Sequence, residues 1–205
     1  MQAEAFEITK QFVTEEEELV CSSLYLIEDA QDNSIIEAKK LFIDGQTSPY
    51  SSQFAHTANV NTHRGTLRCH QAEINTLDGG EVHATNVHIK NAQSGSVYAQ
   101  DVTIDSVEEN VKVIASHSIT VHNVRSTNNT FLIDYKQVPI ILSKLAFIDT
   151  DIKALNTELD DAKRHNHSLI PHINEKIVLL EKEKAAIINA SKTQTITLNN
   201  SPQSS

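Results

Sequence analysis

Tryptophan is absent from this 205-residue chain, which also carries only six phenylalanines and four tyrosines. So few large rings suit a narrow interior lined by Val, Ile, Leu and Ala. Basic residues are in deficit, 17 against 27 acidic, for a formal charge of −10. That disfavours nucleic acid and anionic membrane as partners, since both require a basic footprint. No stretch approaches the ~20 apolar residues of a membrane span, and MQAEAFEITK lacks the charged-then-apolar pattern of a signal peptide. The expected location is cytoplasmic and the expected partners are proteins, with a homo-oligomer open. A Gly-rich phosphate loop, a nucleophile elbow and a Ser/His/Asp arrangement are all missing. The sequence therefore names no catalytic, cofactor-binding or metal-ligating residue, and a non-enzyme is expected.

What is present is a repeat. EVHATNVHI, beginning at Glu81, is followed fifteen residues later by SVYAQDVTI. Each copy has one inward pair two residues apart (Val82 and Ala84; Val97 and Ala99) and, after a gap of three, a second (Val87 and Ile89; Val102 and Ile104). A step of two stays on one strand face, whereas a step of three turns the second pair outward unless the chain bends. Each copy thus reads as two short strands meeting at a corner. Earlier copies are Leu67, Cys69, Ala72, Ile74; Gln53, Ala55, Ala58, Val60; Ile36, Ala38, Leu41, Ile43; Leu19, Cys21, Leu24, Leu26; and, most weakly, Met1, Ala3, Phe6, Ile8. A later one is Val113, Ala115, Ile119, Val121, with one extra corner residue. The second position is always Ala or Cys, as a crowded inner corner demands. Gln53 is the one polar residue at an inward site and reads as local fraying. Units this small gain a core only by stacking on one another. The expected fold is mainly β: a single-stranded parallel β-helix, or solenoid, of about 7–8 coils on the ~4.8 Å strand spacing.

Cys21 and Cys69 share the small column three coils apart, about 14 Å at that spacing and beyond disulfide reach. Both read as small core residues. The acidic run Glu15 to Glu18 is placed to guard the first coil's open edge or to form a solvated loop. Gly45 to Ser52 is a turn-rich connection expected to bulge from the stack. Asp78-Gly79-Gly80 and Ser94-Gly95 mark corners where positive φ is needed. His56 and His70 occupy one outward position on adjacent coils, close enough to share an ion but short of the three or four ligands zinc requires. Asp101 and His117 lie coils away from them. His165-Asn166-His167 resembles a nuclease motif in its letters alone.

At Pro139 the period changes. Leu142, Leu145, Ile148, Ile152, Leu155, Leu159 and Ala162 recur at three and four, which predicts a helix over 140–164. After Arg164 to Ser168 the period resumes with Ile173, Ile177, Leu180 and Ile187, and Pro171 fits the first turn of a new helix. An antiparallel hairpin is favoured, with an unbroken heptad rod as the alternative. Thr193 to Leu198 (TQTITL) is strand-like and expected to return to the coil around Phe131 to Val138. The domains read as 1–138 solenoid, 139–190 helical coiled-coil hairpin, and 191–205 returning strand and disordered tail.

A solenoid of V-x-A-x-x-V-x-I coils running into a helical segment and ending in a strand resembles the flagellar assembly protein A family of bacterial proteins. SVYAQDVTI and KVIASHSITV carry the likeness, which covers about residues 67–198. The resemblance implies a right-handed β-helix, a coiled coil leaving and re-entering it with Ile196 and Leu198 on the returning strand, and a non-catalytic scaffold role in flagellar assembly. Two departures stand out: only five glycines, where that family's coils are Gly-rich, and the lack of its separate N-terminal domain. Bactofilins, polymer-forming cytoskeletal proteins, share a similar coil pattern without a long hairpin. A hexapeptide acyltransferase solenoid would have a strict six-residue period, which this chain lacks.

Overall fold

A computed structural model describes residues 7–165, 167–190, 192 and 195–199. Eight strands come first: β1 (Glu7–Lys10), β2 (Glu18–Leu26), β3 (Ile35–Gln46), β4 (Ser52–His63), β5 (Thr66–Arg68), β6 (Gln71–Val107), β7 (Val111–Val121) and β8 (Thr130–Ile133). Two helices, α1 (Pro139–His165) and α2 (Ile170–Ala190), separate them from β9 (Thr195–Leu198). Every strand pair is parallel, and each coil lies on the next in sequence order. This is a parallel β-solenoid with two packed helices inserted near its end.

The register follows the repeat. Ile36 pairs with Leu19 and Gln53, and Ile43 with Leu26 and Val60. Leu67 lies between Gln53 and Val82, and Val97 pairs with Val113. The extra corner residue appears as a register shift between Ala99 and Asp101. Ala84, Ala99 and Ala115 are fully buried in the inner column. The first coil departs from the expected alignment. Ile8 pairs with Leu24, two places from the Phe6–Leu24 correspondence the spacing implied, and Lys10 stands opposite Leu26. Met1, Ala3 and Phe6 lie outside the described residues.

A third inward column closes the cross-section: Val13, Ala30, Thr47, His63, Leu77, Ala92 and Val107, all at most 1% exposed. Val13 bridges Ala30, Ala30 bridges Thr47, and His63 pairs with Leu77. Thr47 belongs to this core, so the Gly45–Ser52 segment does not bulge as a whole; only its Pro49–Tyr50 tip is exposed. Gln53 is not frayed either. It is fully buried, and its amide donates to Ser51 Oγ at 2.9 Å. Gly79 (φ 85°) and Gly95 (φ 118°) take the expected corner conformation. A Cβ on Gly95 would also sit 2.5 Å from the Gly80 carbonyl oxygen, so successive corners touch through bare backbone.

β8 and β9 together form the last coil. Phe131 and Ile133 stack on Val113 and Ala115, while Ile196 and Leu198 stack on Ile119 and Val121. The returning strand therefore does not pair with Phe131–Val138. It pairs with β7 and supplies the half of the coil that β8 leaves unmade. Thr193, Gln194 and residues 200–205 lie outside the described residues. Val138 is buried at the root of the helices instead of in the coil.

Candidate interaction surfaces

The helices form because apolar residues recur at alternating steps of four and three from Ile141 to Ala162, and Pro139 opens the first turn where its missing N–H costs nothing. α2 runs antiparallel to α1: Ile187 near its end packs with Ile141 and Leu145, whereas Ile170 and Ile173 at its start pack with Leu159 and Ala162. Lys144 pairs across the hairpin with Glu183 at 3.0 Å, and Lys184 with Asp149. The hairpin reading is thus correct, and no continuous rod forms. A short 3-10 turn, His167–Leu169, makes the bend. His165 bonds Asp161 on its own helix at 3.1 Å, and Asn166 lies outside the described residues.

The hairpin is rooted on the side of the solenoid. Ile114, Val138 and Ile141 are buried together, with Tyr98, Tyr135, Leu145 and Ile187 against them. Farther out, Ala162, Ile173 and Ile177 pack with Leu155, Leu159 and Ile170, all of them helical. The distal half therefore holds itself together and presents its outer surface to solvent. Among the described residues, no helix is long and apolar enough to cross a membrane. β9 is exposed along its length, so the hairpin does not cap the last coil.

Sequence reasoning missed the roles of Ile114 and Tyr98, which point away from the solenoid core. A signal was present: Val113, Ile114 and Ala115 are consecutive apolar residues, and such a run marks a strand covered on both faces.

The remaining candidates are structural or exposed ladders. His56 and His70 stack with ring centroids 5.1 Å apart, and His70 Nδ1 meets Thr85 Oγ1 at 2.9 Å. Among the described residues, no group of three or more His, Cys, Asp or Glu is placed to hold a metal. The coiling does bring Asp101, His117 and Ser118 together. His117 Nδ1 lies 2.6 Å from Asp101 Oδ1, and the Ser118 hydroxyl donates to the same oxygen. Serine and imidazole both bind the carboxylate instead of each other, so this arrangement gives the imidazole no serine proton to take. Burial pushes the Cys69 thiol up to about 12 and that of Cys21 upward, which suppresses the reactive thiolate. Glu17, within the acidic run, is bonded by Lys10 and Thr14, which hold its carboxyl below the usual range.

One buried polar group is fully engaged. Thr47 Oγ1 accepts from the backbone N–H groups of Arg64 (2.9 Å) and Gly65 (3.1 Å) and lies 3.0 Å from His63 Nδ1. Its own hydrogen is thus left for Nδ1, and His63 Nε2–H donates to the Glu81 carbonyl at 3.3 Å. Desolvation brings the His63 pKa down to about 4, so the ring is neutral near pH 7.

No family model, curated protein or solved structure matches this chain.

Proposed function

We propose that this protein is a non-catalytic scaffold whose helical hairpin and solenoid faces bind other proteins, in a role akin to that of the flagellar assembly protein A family. The observation that carries the proposal is the insertion of the hairpin between the two halves of one coil. A hairpin anchored through both of its ends, with an apolar root on the solenoid and a self-packed outer half, holds a projecting surface at a fixed place. The likeness to the flagellar family rests on the same path: out of a β-helix, through antiparallel helices and back as a strand. Deleting the gene in its host and counting flagella by electron microscopy tests this role. Loss of flagella, restored by the full chain and not by a chain lacking 140–190, is the expected result. Normal flagella would refute it.

A second reading, a bactofilin-like polymer, is favoured by one feature. Ile196 and Leu198 in the last coil are 45% and 46% exposed, and an open, half-apolar coil is a template for stacking. Long filaments of purified full-length protein in electron micrographs would replace the scaffold by this reading.

A further inference from the structure

Along the outer side of the second sheet face runs a trough of about 510 Å³, reaching from Leu41 and Phe42 to Asp101 and Thr103. It crosses five coils, which makes it roughly 19 Å long at the strand spacing. Ala58, Ala72 and Val87, which follow Leu24 and Leu41 in the same inward column, line the floor and are 3–5% exposed. The neighbouring inward column of Val60, Ile74 and Ile89 stays sealed at 0–2%.

The walls are ladders of hydrogen-bonding side chains. Thr57, Gln71 and Asn86 follow one another on successive coils, with Asn59 and Glu73 in the adjacent column. None of these five makes a side-chain hydrogen bond to a described residue. Two carboxylates, Glu73 and Asp101, line the trough together with His88, and among the described residues no Lys or Arg does. An anionic polymer therefore meets no countercharge there. At one end Phe42 lines the trough, and Tyr25 lies opposite it in register on the preceding coil, each 42% exposed, with the Tyr25 hydroxyl donating to Asp44.

We propose that this trough binds a linear, uncharged polysaccharide. Amides both donate to and accept from sugar hydroxyls and carboxylates accept from them, while aromatic rings cover the apolar C–H face of a sugar ring. The rungs repeat at ~4.8 Å, close to the length of one sugar unit in an extended chain, so a periodic ligand can meet equivalent groups on coil after coil. A peptide strand has no free sheet edge to join here, because every trough-lining strand is already paired on both sides. This proposal does not depend on the flagellar reading.

The test is titration calorimetry of the full-length protein with cellohexaose, maltohexaose, mannohexaose and chitohexaose, and with heparin as an anionic control. The expected result is binding of at least one neutral hexasaccharide. Phe42→Ala and Asn86→Ala should each weaken it about five- to tenfold, the effect of losing one net contact. Val20→Ala, at a residue 73% exposed on a different face, should leave affinity unchanged. Both trough residues are exposed, and unchanged circular dichroism and melting would show that the variants fold. Absence of binding to all four sugars, equal binding by every variant, or preference for heparin would each overturn the proposal.

Discussion

The crowding at the inner corner is decided residue by residue. Ala99 is fully buried, while Gln100 beside it reaches outward to bond Asp101 at 3.1 Å. Ala99→Leu should lower stability by about 1–3 kcal/mol through overpacking, whereas Gln100→Leu should cost well under 1 kcal/mol. Equal denaturation midpoints for the two variants would refute the inward assignment. His63 sets a pH dependence. Its folded pKa is about 4 against an ordinary 6.5, so between those values the unfolded chain binds a proton that the folded chain excludes. Its contribution is complete above about pH 6.5 and is lost as the pH falls towards 4, amounting to roughly 3 kcal/mol. The imidazole carbon shifts of His63 should remain those of the neutral ring down to about pH 5; a midpoint near 6.5 would contradict the burial. Thr47 and His63 also explain why the third inward column was illegible in the sequence. That column offers one inward residue per coil, without a partner two places away, and a threonine and a histidine interrupt its apolar run. Periodicity finds pairs on a strand; it does not find single residues whose polarity is cancelled by hydrogen bonds that only folding creates.

At the scale of the element, the helical root and the returning strand differ in strength. Ile114 is 1% exposed beneath α1, so Ile114→Ala should destabilise the docked hairpin by about 2–4 kcal/mol. The change should raise hydrogen exchange in residues 138–148 while leaving that of β4 unchanged. Uniform exchange across the molecule would show that root and solenoid do not separate. β9 is held less firmly. Its two apolar side chains are about half-exposed, so their burial contributes roughly 2 kcal/mol in all, before the cost of ordering four residues. Its amides should exchange faster than those of β7 yet slower than an unstructured peptide. Protection equal to that of β7 would mean that something else covers the last coil. Both strands of that coil were legible as apolar pairs spaced by two. Their division of one coil was not, because sequence spacing carries no sign of which earlier strand a segment rejoins across two intervening helices of 27 and 21 residues.

For the whole molecule, the hairpin rivals the solenoid in size. The 27 residues of α1 span about 40 Å at 1.5 Å per residue, against roughly 34 Å for eight stacked rungs. Truncation after Val138 would uncover Ile114, Tyr98 and the outer edge of Ser118–Val121, which α1 and β9 now cover. The 1–138 fragment should keep a β-type circular dichroism spectrum and self-associate at micromolar concentration, where the full chain elutes as a smaller species. A monodisperse fragment in light scattering would show that these surfaces do not drive association.

The division of the last coil also bears on the order in which the protein forms. From β2 to β8, each strand meets a partner that left the ribosome only one coil earlier, so the stack can grow rung by rung during synthesis. β9 must wait: its partner, Ser118–Val121, is made before the whole hairpin, and the loop to be closed is the longest in the chain. Loop-closure entropy makes that contact the slowest to form. Refolding should accordingly show a late phase, visible as protection of β9 and of the amides it shields, after the solenoid signal is complete. The newly made protein passes through a state in which the hairpin is tethered at one end only.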